Sequence, residues 1–448
     1  MIPNANLITS ILNIRESDIK FLSSKVDGDN VIYDVTLIRK PYTCPFCRGQ
    51  MIGHGQKTKK INHPALREYK GVIIYHANRY KCKQCSKTCL ENNPFAFKGF
   101  NSSFFMQRNV MKLLGNLNYT LDMISKELSI STTQVNKYLD SFITIPPMQL
   151  PENLGVDEIH SPSLTRASSV YLCILVDNEH RHIYDVIDSR SKYHLSDCFS
   201  KIPREERYKV KYVTIDMWEP YKDLAETYFP KAEIAVDPFH VIKHLCDGFE
   251  NLRISIMKQC DYDSNAYYLL KKWNWLMTTD DVDLDNERVF NHRFGTKLNR
   301  RDILNLIFST FPILKDAYDL KEGYRAINKT ASYEYISNHY DEILRQFQDC
   351  GIKQYEEFIG ILIHWKDEII NSYKRPYNNR KQSNAFCENV NGKIKTYLDI
   401  SRGISNFPRF RKRVLYALNP RIYYALTEKL TSHQRKMDKR GPYKKIKD

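Results

Sequence analysis

The sequence predicts a multidomain α/β protein: an N-terminal zinc ribbon, a helix-turn-helix, an α/β core interrupted by an all-helical insertion, and a basic tail. Three observations carry this. Two Cys-x-x-Cys pairs stand in the first hundred residues. Two short amphipathic patterns joined by a turn follow them. After Leu154, strand and helix signals succeed one another in the order βββαβαβα.

At 448 residues the chain exceeds one ordinary domain. Its net charge of +16 is unevenly spread: +10 over residues 1–150, −9 over 151–370 and +15 over 371–448. Basic ends suit a polyanion such as nucleic acid. An acidic middle in such a protein suits carboxylates kept for divalent metal. No run of eighteen apolar residues is present, so no membrane span is expected. The N-terminus lacks a basic stretch followed by an apolar core, so a cytoplasmic protein is expected. Eleven cysteines, an odd number, argue against a disulfide framework. Five of them fall between Cys44 and Cys89, which points to metal.

Residues 1–98 read as a hairpin and a ribbon. Residues 18–40 alternate apolar and polar around Asp27–Asn30, the pattern of a β-hairpin. Cys44 and Cys47, then Cys82 and Cys85 after 34 intervening residues, form the two knuckles of a four-thiolate Zn²⁺ site. The stretch IIYHANRYKC supplies a strand between them. Cys89, His54, His63 and His76 stand by as alternative ligands. Residues 41–90 hold ten Lys and Arg against one acid, which favours contact with DNA.

Residues 99–145 read as a helix-turn-helix. Leu121, Ile124 and Leu128 share one helix face, Ser129–Ser131 make the turn, and Val135, Tyr138, Leu139 and Phe142 face inward from the second helix. Thr132, Thr133, Gln134, Asn136 and Lys137 are then left outward near that helix's start, where base edges are read. Pro146, Pro147 and Pro151 mark a linker.

Residues 152–258 read as the first part of the core. In a βββαβαβα order the first and fourth strands lie side by side, as in a ribonuclease H-like fold. Asp157 ends the first strand and Asp216 ends the fourth, so both reach one crevice. With a third carboxylate from a later helix they would hold two Mg²⁺ or Mn²⁺ ions. Alternation turns Glu158 to the opposite face. Asp237, followed by Pro238, reads as a helix N-cap with His240 in the first turn, and both are expected to support rather than to catalyse.

Residues 259–372 are rich in helical and aromatic patterns, with Trp273, Trp275 and Trp365 expected in a core. Residues 373–430 return to the core through SNAFCENVNGKIK. With Ser383 as N-cap, Glu388, Asn391, Gly392 and Lys395 share one helix face, and Phe386, Val390 and Ile394 a buried one. Glu388 is the candidate third ligand. Lys393, Lys395, Arg409, Arg411, Lys412 and Arg413 are candidate phosphate contacts. Residues 431–448 read as a disordered basic tail.

The motifs resemble those of DDE transposases of the ISL-three insertion-sequence family over nearly the whole chain. CPFC…RYKCKQCSK resembles that family's zinc ribbon. GVDE, IDMWEPYKDLAETYFPKAEIAVDPFHVIKHL, SNAFCENVNGKIK and NFPRFRKRVLYAL follow its catalytic blocks in order. The resemblance implies Asp157, Asp216 and Glu388 as catalytic acids. It also implies binding to terminal inverted repeats, cleavage and strand transfer into target DNA, and a homodimer that pairs two ends. Two other readings share the same core: a DNA-binding regulator without activity, and a structure-selective nuclease.

Overall fold

The computed structural model describes residues 5–66, 69–165, 169–377 and 379–419. The chain divides into two compact units. One comprises the residues up to Pro146 together with those from Lys393, and the other is Pro147–Gly392.

The first unit opens with helix α1 (Ala5–Leu12) and a hairpin of β1 (Ile19–Asp27) and β2 (Asn30–Leu37). Gly28 turns the hairpin at φ +56°, a conformation that costs a glycine nothing. Strands β3 (Tyr42–Thr43), β4 (Gln50–Leu66), β5 (Tyr69–Cys82) and β6 (Thr88–Leu90) complete a six-stranded sheet in the order β1-β2-β5-β4-β3. Strand β6 pairs with Arg79–Lys81 of β5, beyond the stretch that β2 covers in parallel. Val31, Tyr33 and Val35 on β2 and Ile73, Tyr75 and Ala77 on β5 are buried at every second position. That period of two gives the sheet one apolar face, which packs with Leu12, Ile61 and Phe95.

Helices α2 (Phe104–Leu114), α3 (Leu121–Glu127) and α4 (Thr132–Phe142) follow. Each starts on a hydroxyl cap, from Ser103, Thr120 and Ser131 respectively. Ser129 takes φ +52° in the turn between the last two. Ile124, Val135, Tyr138, Leu139 and Phe142 are buried together, so the core face read from the sequence is the one the fold uses.

The second unit holds β7 (Asn153–His160), β8 (Tyr171–Asp177), β9 (His182–Ile187), α5 (Lys192–Ser200), α6 (Arg204–Arg207), β10 (Tyr212–Ile215), α7 (Glu219–Tyr228), β11 (Glu233–Val236) and α8 (Pro238–Met257). Its five-stranded sheet runs β11-β10-β7-β8-β9. The first three strands in sequence are antiparallel neighbours, and β10 lies parallel to both β7 and β11. Leu172–Val176 of β8 are buried without interruption, as a strand covered on both faces requires.

The insertion contains α9 (Asn265–Lys272), α10 (Trp275–Thr278), β12 (Val289–Asn291), β13 (Thr296–Leu298), α11 (Arg300–Thr310), α12 (Pro312–Thr330), α13 (Tyr333–Asp349), α14 (Glu356–His364) and α15 (Lys366–Ser372). It is therefore not all-helical. The hairpin β12–β13 joins no other sheet, and its short strands sit in a polar stretch that carries little strand signal. Trp365 is buried as expected, while Trp273 and Trp275 are half-buried. One continuous apolar cluster runs from the sheet through Leu245 and Phe249 of α8 to Leu314, Tyr324 and Phe358 of the insertion. Helix α15 brings the chain back to the sheet, where Asn371 donates to the Ile234 carbonyl at 3.0 Å.

Helix α16 (Ala385–Ser401) contains the division between the units, and α17 (Phe407–Leu418) belongs to the first. Arg413 of α17 is 1% exposed. It donates to the Tyr397 hydroxyl at 3.1 Å and to the carbonyls of Asn116 and Tyr119. The expectation that it meets phosphate is corrected: its two terminal nitrogens are spent on Tyr397 and on the carbonyls that follow α2, and the side chain is buried. Among the described residues no helix is long and apolar enough to cross a membrane. The segment expected as a basic tail lies outside the described residues.

Candidate active site and metal centres

Cys44, Cys47, Cys82 and Cys85 converge at one end of the β4–β5 ladder, with their sulfurs within 4.8 Å of one another. Zinc bound at about 2.3 Å to four thiolates implies sulfur–sulfur edges of about 3.8 Å. Cys44 and Cys85 stand 3.6 Å apart, and Cys47 and Cys82 3.5 Å. The donor set fits zinc. The amides of Cys85 and Gln84 point at the Cys82 sulfur and hold its pKa down to about 6, toward the thiolate that a metal needs. Three of the four alternatives have other partners. The Cys89 thiol faces the Met51 sulfur at 3.4 Å, His63 is buried on Ser103, and His76 pairs with Thr58 and Asp34.

The acid site forms where β7 and β10 run in parallel. Their pairing covers only Asn153–Gly155 against Tyr212–Thr214. Asp157 lies mid-strand rather than at a strand end, because β7 continues to His160 in its pairing with β8. It nonetheless sits just past the parallel stretch, level with Asp216, which follows β10 directly. Both carboxyls are pushed up to about 7, by burial first and then by neighbouring negative charge. For Asp157 those neighbours are Glu158, Asp237 and Glu388, and for Asp216 they are Glu158 and Asp157. The Asp216 Oδ1 is buried without a hydrogen bond.

Glu158 has other partners than Asp157, yet its charge acts on both acids. It ion-pairs with Arg190 and accepts from the Tyr221 hydroxyl at 3.4 Å. Arg190 in turn stacks on Tyr171 at 3.9 Å and Trp218 at 4.8 Å. A carboxylate so neutralised reads as a wall of the site.

Glu388 arrives on α16. The helix starts at Ala385, so Ser383 is not its cap and Asn384 takes the position before it. The Asn384 side chain does not cap either. It is buried, and its amide donates to the carbonyls of Val156 at 3.0 Å and Thr214 at 3.3 Å. One side chain thus ties the start of the Glu388 helix to both acid-bearing strands. Gly155 makes room for it, because a Cβ there would stand 2.8 Å from the Asn384 Oδ1 and 2.6 Å from Val176. Gln382, also buried, accepts from Thr214 at 3.4 Å. One turn after Glu388, Asn391 donates to the Asp157 Oδ2 at 2.7 Å, while the Glu158 amide donates to Oδ1 at 2.7 Å. Asn391 was visible in the sequence as a face-mate of Glu388. Asn384 carried no such signal, because the neighbouring Ser383 already reads as the cap.

The ligand atoms that come together most closely here are those of Asp237, His240 and Glu388, all within 4.8 Å of one another. Among the described residues Asp157, Asp216 and Glu388 form no group of that tightness. Asp237 caps α8 by accepting from the Phe239 amide at 3.2 Å. Burial raises its pKa, and the Phe239 and Asn384 amides act in the opposite direction. Burial lowers the pKa of His240, and the Glu388 charge opposes that.

Thr132, Thr133 and Lys137 are exposed and Gln134 and Asn136 half-buried at the start of α4. The Lys137 ammonium meets the Gly99 carbonyl at 2.6 Å and the Phe100 ring at 4.3 Å. Lys393 and Lys395 are exposed. Arg409 pairs with both Asp140 oxygens and Lys412 reaches the Asp140 carbonyl at 3.5 Å, so these two are engaged within the protein. Arg411 is half-buried.

The second unit thus holds buried acids on neighbouring strands of a mixed sheet, and the first a four-thiolate cluster and paired short helices. Residues 154–414 match the model of the ISL-three family of DDE transposases, described as transposase, and the chain belongs to that family. It is similar to the transposase for insertion sequence element IS1001 of Bordetella parapertussis. The two are 22% identical over 345 residues, which is 76% of this chain and 80% of that protein.

Proposed function

We propose that this transposase cleaves DNA at the terminal inverted repeats of its insertion sequence and joins the freed ends to target DNA, using Asp157, Asp216 and Glu388 on a ribonuclease H-like core. The observation that carries this reading is the pair of raised carboxyls at matched positions on parallel neighbours β7 and β10, with the Glu388 charge acting on the first of them. Family membership implies a divalent cation, and a buried Asp216 oxygen without a partner fits one. Two Mg²⁺ or Mn²⁺ ions, when bound, would activate a water or 3′-hydroxyl and stabilise the leaving oxygen. Asp157, Asp216 and Glu388 would hold them. The protein's own part is positional. Asn384 fixes the start of α16 against β7 and β10, and Asn391 orients the Asp157 carboxylate. Arg190 neutralises Glu158, so that charge does not compete for the site.

Binding is assigned to the first unit. The zinc ribbon and the start of α4, with Thr132, Thr133, Gln134 and Asn136, would read the repeat, and exposed Lys393 and Lys395 would meet phosphate. Two ends must be brought together, so a homodimer is expected on DNA. The test is Asp157→Asn or Glu388→Gln in the full-length protein with a DNA carrying the element's ends. Binding should persist while Mg²⁺-dependent cleavage disappears. Full cleavage by both variants would overturn the triad.

A further inference from the structure

We infer that Asp237, His240 and Glu388 form a cation site of their own, one that takes Mn²⁺ in preference to Mg²⁺ because one of its three ligands is an imidazole. This goes beyond the triad reading and shares only Glu388 with it.

Three observations support the site. The three ligand atoms lie within 4.8 Å of one another. Ligands of one ion at about 2.1 Å stand up to about 4.2 Å apart, so a small side-chain adjustment closes the set. Asp237 is 2% exposed, and one of its oxygens serves as the α8 cap. Its Oδ2 is buried with no hydrogen-bond partner. Leaving such an oxygen unmatched costs on the order of 1–3 kcal/mol, more for a charged group, and a bound cation removes that cost. Among the described residues no hydrogen bond engages the ring nitrogens of His240, so the ring has a nitrogen to offer a cation.

The local backbone explains why these residues meet. Pro238 starts α8 directly after Asp237, which puts His240 in the first turn beside the cap. The positive end of α8 works against a cation there. Two carboxylates outweigh that partial charge. A ligand set of one nitrogen and two oxygens suits Mn²⁺ and its later neighbours, whereas Mg²⁺ favours oxygen and retained water.

The experiment uses full-length zinc-loaded protein and Mn²⁺ as the probe. Pulsed electron paramagnetic resonance detects nitrogen bound directly to Mn²⁺, and ¹⁵N-histidine labelling identifies it as histidine without any mutation. Titration gives affinity, and Mg²⁺ competition gives preference. The expected result is a nitrogen-coupled Mn²⁺ that Mg²⁺ displaces poorly. His240→Gln should remove the coupling and weaken Mn²⁺ at least about tenfold, and Asp157→Asn should keep the coupling. Bound Mn²⁺ without nitrogen coupling, or coupling that survives His240→Gln, overturns the site. In either case loss of cleavage in Asp157→Asn leaves the triad reading standing. Nitrogen-coupled Mn²⁺ together with full cleavage by Asp157→Asn would do the opposite.

Discussion

Asp157→Asn should make the cation-free protein more stable at pH 8 and leave it little changed at pH 5. A carboxyl with an ordinary pKa of 3.8 that is held at about 7 carries a penalty on its ionised form of roughly 4 kcal/mol. The native state therefore binds a proton that the unfolded chain has released. Its stabilising contribution is complete below pH 3.8 and is lost as pH rises through about 7. At pH 8 the substitution removes that penalty. It also removes one of two acceptors, those facing the Asn391 and Glu158 donors, at a cost of about 1 kcal/mol. The net gain at pH 8 is about 2–3 kcal/mol, while at pH 5 the remaining penalty of roughly 1.6 kcal/mol nearly offsets the lost acceptor and the net change falls below about 1 kcal/mol. Scanning calorimetry in Mg²⁺-free buffer should then show a Tm for the second unit that is higher by about 4–10 °C at pH 8. Saturating Mg²⁺ should raise the wild-type Tm and leave the variant's unchanged. A variant less stable at pH 8, or shifted equally at both pH values, would refute the charge-crowded site.

Other expectations concern parts of the fold that prepare this site. Wild-type protein should carry one zinc by elemental analysis. Cys82→Ser should lose it, and Cys89→Ser should keep it, because the Cys89 thiol faces Met51. Asn384→Ala leaves the Val156 and Thr214 carbonyls without their donor, which should cost about 1–3 kcal/mol in denaturant unfolding and reduce cleavage more than DNA binding. Arg413→Ala strips a buried cation from the carbonyls of Asn116 and Tyr119 and should cost roughly 3 kcal/mol. Lys395→Ala, by contrast, should leave Tm unchanged and lower the salt slope of DNA binding by about 1.

Much of this arrangement was legible before any coordinates. The thiolate knuckles, the buried face of α4 and the strand order around Asp157 and Asp216 follow from spacing and period, which local chemistry enforces. What the sequence hid has a common physical character. Arg413 stands in a basic run, yet its burial is decided by carbonyls almost 300 residues away in sequence. Ser383 reads as the local cap, while its unremarked neighbour Asn384 acts as a long-range tie. Glu158 alternates away from Asp157 along one strand, but its charge, paired with Arg190, still acts on Asp216. The hairpin β12–β13 is formed by two three-residue strands, too short for a period to register. The meeting of His240 with Glu388 crosses 147 intervening residues, and only the fold brings it about.

The late position of α16 and α17 has a consequence for biosynthesis. On the ribosome, α2 to α4 are made early, yet Arg413 and Tyr416, which close over Asn116, Tyr119 and Met111, come almost 300 residues later. Asp157 and Asp216 likewise wait for Asn384, Glu388 and Asn391. Both units are completed by the same short stretch of chain, residues 382–416. A chain that stops before this stretch lacks Arg413 of the first unit and Asn384, Glu388 and Asn391 of the second, so a truncated product leaves both units unfinished.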